Sequence, residues 1–401
     1  MKKLHITITV TVIAAVIISF VFYNLFKPKK TDDVIKVGFV FVGDESHTYT
    51  LNFISGMSIL KETFGDKVEL YPAYNVPKRN QERVVDNLVE KKGCTLIFAN
   101  SYDYKINTKE CAKKYPDVQF CQIGCMNANE SPIYPNYHTF TGKIYQGCYI
   151  SGVVAGLKMK ELIERNELKP SKAKIGYVAA YPYSEVISGY TAFFLGVKSV
   201  VKEATMDVIY TNSWNNYALE LKAAKKLISD KCVIIANQSD TKAVADACES
   251  MPTYMNVFYV GYNQNMVDIA PTTYLIGCRT NWSKYMIGAV KALQQGKKIE
   301  DVVEGSVNGN DIGAGFDKGW IEMFPANEMT VAKGTNEKIR NLIQDFSKDK
   351  ITVFQGDYIG VDPFNEKDVY DLNTPYKENE NTSAATFHYE LKNVIRIVDR
   401  Y

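Results

Sequence analysis

Side chains able to grip a flat, hydrogen-bonding molecule recur just after the apolar runs of this sequence. His47 and Tyr49 follow the run Ile35 to Val42, and Asn100, Ser101, Tyr102 and Asp103 follow Thr95 to Ala99. Tyr181, Tyr183 and Glu185 follow Lys174 to Ala180; Asn212 and Trp214 follow Asp207 to Tyr210. Asn237, Gln238 and Asp240 come after Val233 to Ala236, Tyr262 and Asn263 after Val257 to Gly261, and Asn281 and Trp282 after Tyr274 to Cys278. Rings stack on the face of a heterocycle, at about 1–3 kcal/mol per base. Amides and carboxylates read its donor and acceptor edge. The positions expected to touch a ligand are His47, Tyr49, Ser101, Tyr102, Tyr181, Glu185, Trp214, Asp240, Asn263 and Trp282.

Each of these has a plainer alternative. Trp214 and Trp282 could be packing anchors, since Trp is seldom left exposed. Glu185 could cap the helix near Ser184 and Ser188, and Asp240 could be a helix N-cap before Lys242. His47 could simply be solvated. Recurrence at successive run ends favours binding over these readings taken singly.

Bond-making chemistry has little support. Metal-assisted hydrolysis needs a tight carboxylate cluster, and Asp44-Glu45 is the one pair after the first run. The 4 His are scattered and no C-x-x-C occurs, so neither a metal nor a cofactor is expected. The 8 Cys form no recognisable disulfide framework; Cys94, Cys232 and Cys278 sit in apolar runs, where a thiol behaves as a small hydrophobe. A formal net charge of +2 without a long basic run argues against nucleic acid as a partner.

The elements that must position these loops read as α/β. Runs of strand length and composition alternate with helical spacing such as Phe53, Met57 and Leu60, which implies parallel sheets covered on both faces. In such sheets ligands bind beyond the carboxyl ends of strands. A longer helix is expected from Gly142, its small residues allowing close packing against a sheet, and the alternation restarts at Lys174. Further strands are expected at Tyr274 to Gly277 and Ile351 to Phe354; Asn373 to Thr386 reads as a surface loop. The expected organisation is an anchor and linker at 1–33, a first lobe at 34–142 with a return segment near 264–300, and a second lobe at 143–263 with a return segment near 301–365. A C-terminal tail follows at 366–401.

At the N-terminus, Lys2 and Lys3 precede an apolar run from Ile6 to Phe26. About 20 residues suffice to span a bilayer. No small-x-small cleavage site follows and no Cys lies nearby for lipid attachment, so an uncleaved membrane anchor is expected. Lysines flank both ends and leave the orientation nearly balanced.

Several segments together resemble the basic membrane protein (BMP) family of ABC-transporter substrate-binding proteins. They are YVAAYPYSEVISGYTAF from Tyr177 to Phe193, TNSWNN from Thr211 to Asn216, GYNQNM from Gly261 to Met266 and TNW from Thr280 to Trp282, with ETFG at Glu62 to Gly65 and KYPDV at Lys114 to Val118. The similarity runs from about Lys36 to about Asp362. It implies two Rossmann-like lobes joined by a hinge, a type I periplasmic-binding-protein fold. It further implies a purine base or nucleoside as ligand, an ABC permease as partner, and a body outside the cytoplasm. Sensing by the same fold without transport, or another small solute, are the alternatives. Many relatives carry an Asp where this chain has Asn263, and an amide is a poorer diol acceptor than a carboxylate. The expectation is therefore a free base or modified purine rather than a ribose-bearing ligand. His47 stands where close relatives often have Trp.

Overall fold

The computed structural model describes residues 34–401. The Ile6 to Phe26 run lies outside the described residues; among those described, no helix is long and apolar enough to cross a membrane. In chain order the first elements are β1 (Ile35–Val40), α1 (Thr48–Phe64), β2 (Val68–Ala73), α2 (Gln81–Asp86), β3 (Leu96–Ala99), α3 (Lys105–Lys114), β4 (Gln119–Ile123) and β5 (Tyr137–Gly142). Then come α4 (Tyr145–Glu164), β6 (Lys174–Ala179), α5 (Ser184–Lys198), β7 (Thr205–Tyr210), α6 (Tyr217–Ser229), β8 (Ile234–Gln238), α7 (Ala243–Glu249) and β9 (Phe258–Tyr262). The return comprises β10 (Tyr274–Thr280), α8 (Ser283–Gln295), β11 (Ser306–Asn308), β12 (Asp311–Ala314), β13 (Ile321–Met323) and α9 (Thr335–Ser347). Last are β14 (Ile359–Asp362), β15 (Asn365–Asp371), β16 (Glu390–Leu391) and β17 (Ile395–Arg400).

Two seven-stranded sheets form, ordered β11-β12-β5-β4-β3-β1-β2 and β13-β10-β9-β8-β6-β7-β17, with a small third sheet β15-β14-β16. Their centres are parallel: Val37 lies opposite Leu96, and Ile175 opposite Ile234. Strands such as β3, buried at every residue, are apolar throughout because helices cover both faces. The first lobe's core gathers Phe39, Phe53, Phe98, Phe140, Tyr285 and Trp320. The chain passes between lobes after β5, β10 and β12, which makes the hinge.

Several boundaries differ from the sequence reading. Gly142 ends strand β5 rather than starting a helix, and the helix begins at Tyr145. Its small residues serve mainly a helix–helix contact. A methyl group at Gly152 would overlap the carbonyl oxygen of Phe193, and one at Gly196 that of Tyr149, so α4 and α5 touch backbone to backbone. The return is divided differently from 264–300 and 301–365: β10 joins the second lobe's sheet beside β9, whereas β11 and β12 close the first lobe's sheet. Ile351 to Phe354 is irregular, not a strand; Val353 and Phe354 are buried instead by packing, with Phe354 stacked 4.3 Å from Phe387. The expected tail is built into the fold. Strand β17 adds parallel to β7, and Arg396 grips the buried Asp207 with two bonds of 2.9 and 2.8 Å.

Candidate functional site

The loops leaving the carboxyl ends of the two sheets face each other across a cleft. The Thr48 amide at the start of α1 donates to the carbonyl of Asp240 in the other lobe, at 3.2 Å. Gln264 Nε2 donates to the Thr48 carbonyl at 3.0 Å. Rings also approach across the gap: Tyr102 lies 5.9 Å from Tyr183, which stacks on Tyr181 at 5.1 Å beside Trp214. The lobes are thus in contact, as in a closed binding protein.

Three cavities adjoin in this cleft. An inner one of about 120 Å³ is lined by residues that include His47, Tyr49, Ser101, Trp214, Asp240 and Tyr262. A deeper recess of about 30 Å³ adds Thr141, Asn263 and Trp282. An outer chamber of about 310 Å³ includes Tyr183, Trp214, Asp362, Phe364 and His388. Tyr102 and Glu185 line all three. Another cavity, of about 720 Å³, lies against α4, α5 and the C-terminal segment, away from the strand-end loops.

Nine of the expected positions therefore line the inner cavity or its recess. Tyr181 does not, because its ring backs Tyr183 and Trp214. Trp282 serves two purposes: it stacks on Phe53 at 4.6 Å, making it a packing anchor, while also lining the recess. Asn100, Asp103, Gln238 and Tyr262, all visible in the same loops, line the inner cavity too. Asn215 lines it without having been singled out from the sequence, its signal being only its place beside Trp214. The wall from Asp362 to Phe364 and at His388 had no strand-end signal at all.

The two carboxylates central to the site are not helix caps. Glu185 lies in the first turn of α5, whose N-cap is Tyr183, and no side-chain cap bond forms there. The amide of Ala243, the first residue of α7, is met by Thr241 Oγ1, not by Asp240. Glu220, wholly buried, fixes the Asp240 loop by accepting from Ser239 Oγ at 2.8 Å and Thr241 Oγ1 at 2.7 Å. Among the described residues, neither the Glu185 nor the Asp240 carboxylate has a hydrogen-bond donor or a cation. Burial pushes the Glu185 carboxyl up to about 7. Burial first, then repulsion from Glu220 and Glu185, drives Asp240 well above the carboxylate range. Burial likewise keeps the phenols of Tyr49 and Tyr262 protonated, so both remain donors. Asn263 Nδ2, Trp282 Nε1 and Thr141 Oγ1 are buried without partners. Unmet polar groups of this kind are costly inside a protein unless something else satisfies them.

Asp44 is engaged elsewhere. Bonds from Asn75 and Ser46 hold its carboxyl at about 2 and build a turn at the rim. Asp362, Asp368 and His388 gather on the small sheet, where Asp368 accepts from the Tyr389 hydroxyl and His388 Nδ1 bonds to the Thr386 carbonyl. All 8 Cys are buried and free.

Residues 35–353 match the family described as ABC transporter substrate-binding protein, PnrA-like. A purine-binding protein of Brucella abortus (strain 2308) is 29% identical over 300 residues, covering 74% of this chain and 77% of the relative. A putative ABC transporter glucose-binding protein of Haloferax volcanii is 26% identical over 281 residues, 70% of this chain and 64% of the relative. Among solved structures, a solute-binding protein of an ABC transporter system from Aeropyrum pernix K1 superposes with a TM-score of 0.63 at 14% identity, covering 79% of this chain and 92% of the other. That likeness establishes the type I periplasmic-binding-protein fold. Proteins of this kind work outside the cytoplasm and pass a small molecule to a permease. The chain belongs to the PnrA-like family of ABC-transporter substrate-binding proteins.

Proposed function

We propose that this chain captures a purine-type heterocycle between its lobes and presents it to an ABC permease. In this reading the Ile6 to Phe26 run holds it at the membrane. The observation that carries the ligand assignment is the make-up of the inner cavity. Tyr49, Tyr102 and Trp214 offer ring faces, and Asn100, Gln238, Asp240 and Glu185 offer edge-reading groups, from both lobes at once. A purine presents both a stacking face and a mixed donor and acceptor edge. The Brucella relative, a purine-binding protein, supports the same assignment.

Asn263, an amide where a carboxylate would accept both hydroxyls of a ribose, favours a base over a nucleoside. Calorimetric titration of the full chain with adenine, adenosine and glucose tests the assignment. Adenine is expected to bind more tightly than adenosine, and glucose not at all. Glucose binding without adenine binding would overturn it.

A further inference from the structure

The cleft is one-sided in charge. The residues lining its three adjoining cavities include the carboxylates Asp103, Glu185, Asp240 and Asp362 and the imidazoles His47 and His388, and, among the described residues, not one Lys or Arg. Lys105 comes close, but its ammonium bonds the Tyr102 hydroxyl at 2.7 Å and sits 4.1 Å from that ring's centre. Asp240 is only 7% exposed and, among the described residues, its carboxylate has no donor. Glu185 has none either, and it stands where the inner cavity, its recess and the outer chamber meet. A neutral base satisfies one such acceptor with a ring or amino N–H. It leaves the second of these two without a donor in a largely enclosed space.

The outer chamber adds the other half of the argument. Tyr102, Tyr183, Trp214 and Phe364 present rings around it, with Asp362 at its wall. Phe364 is 74% exposed; Tyr102, met on one side by Lys105, and Tyr183, stacked on Tyr181, are still 40% and 42% exposed. Exposed rings beside carboxylates are the setting in which an ammonium group is bound, by cation–π attraction and charge-assisted hydrogen bonds together. The same surroundings repel a phosphate. The chamber wall at Asp362, Phe364 and His388 lies beyond the family-matched segment, which ends at 353.

We propose that the physiological ligand is a purine-type base bearing a protonated amine, its ring in the inner cavity and its ammonium group at Glu185, facing the outer chamber. This rests on the purine reading above and narrows it. An N–H of the base meets Asp240, the ammonium supplies the donor that Glu185 lacks, and the rings of the chamber cover its hydrocarbon arm. Phosphorylated purines are excluded by the same carboxylates.

The test is calorimetry on the full chain with adenine and two matched pairs of derivatives. One pair carries an aminoethyl or a hydroxyethyl arm on the imidazole-ring nitrogen, the other carries the same arms on the exocyclic nitrogen. In at least one pair the amine is expected to bind about tenfold more tightly than the alcohol, the margin of a charged over a neutral hydrogen bond. In Glu185→Gln that ratio is expected to fall to within about twofold, because the charge is gone while the shape remains. Adenine binding with the alcohols equal to or tighter than the amines in both pairs would overturn this inference alone. An amine preference that survives unchanged in Glu185→Gln would overturn the placement. Failure of adenine and of every derivative to bind would overturn the purine reading and this inference with it.

Discussion

The backbone amide of Thr48 meets the backbone carbonyl of Asp240 at 3.2 Å, joining the first helix of one lobe to a strand-end loop of the other. The bond forms beside the cavity, and Asn215 Nδ2 donates to the same carbonyl at 3.2 Å. Closure therefore brings the Asp240 carboxyl into a space where, among the described residues, no donor or cation meets it. A ligand that supplies a donor there stabilises the closed form over the open one, which is how binding selects closure.

The first consequence concerns stability without ligand. Asp240→Asn removes a buried carboxyl that lacks a partner, so the unliganded protein is expected to gain about 1–3 kcal/mol. Ligand affinity is expected to fall in the same variant. Thermal denaturation and calorimetry measure the two effects, and a loss of both stability and affinity would point to a structural bond for Asp240 instead.

A second prediction concerns pH. The Glu185 carboxyl holds its proton up to about 7 when folded, against an ordinary 4.5. The folded state binds the proton more tightly than the unfolded chain. Stability of the unliganded protein is therefore full below about 4.5, falls as pH rises through about 7, and levels off above. Asp240, also raised, pushes the same way, and the neighbouring phenols of Tyr49 and Tyr262 stay neutral throughout. The melting temperature of the wild type is expected to drop between about pH 5 and pH 8, and Glu185→Gln to flatten part of that drop. Equal pH profiles for the two proteins would contradict the environment assigned to Glu185.

The two tryptophans are expected to separate. Trp282, 5% exposed and stacked on Phe53, is part of the first lobe's core, so Trp282→Ala should cost about 3–5 kcal/mol of stability. Trp214 lines the inner cavity and the outer chamber. Trp214→Ala should cost about 1–3 kcal/mol of binding, as lost base stacking does, with stability changed by less than about 1 kcal/mol. Paired denaturation and titration of both variants decide the matter.

At the C-terminus, Arg396 ties β17 to Asp207, and Lys174 reaches the same carboxylate at 3.1 Å. Arg396 is well exposed and Lys174 remains in its absence, so Arg396→Ala is expected to cost only about 1 kcal/mol. Asp207→Ala leaves two cations without their acceptor and should cost more. Urea unfolding of the two variants ranks them; the reverse order would contradict this assignment, and no loss in Arg396→Ala would mean that β17 is held by its backbone pairing alone.

Much of this architecture was legible because parallel strands buried on both faces leave long apolar runs. Val37 to Val40 and Ile234 to Ala236 announce themselves in that way. The loops behind them followed from the rule that ligands bind beyond strand carboxyl ends, which placed Tyr49, Tyr102, Glu185 and Asp240 together. What stayed hidden was set by tertiary pairing. Nothing in the sequences of strands β10, β11 and β12 names a lobe, and only tertiary pairing decides which sheet each joins. Phe354 reads as a strand residue but is buried by Phe387, a partner more than thirty positions away. Tyr181 carries the same chemistry as Tyr183, and only the stacking direction turns one toward the cleft and the other behind it. The wall at Asp362 and His388 comes from the small third sheet, whose hairpin leaves no strand-end motif to read.

The central claim, capture of a purine-type base between the lobes, is tested most directly by identifying what the protein carries. The full chain, purified in detergent without added ligand, is denatured and the released small molecules are analysed by mass spectrometry. The account predicts a purine-type heterocycle with an amine-bearing arm in near-stoichiometric amount. A sugar or an amino acid released in that amount would contradict it, while leaving the two-lobed fold intact.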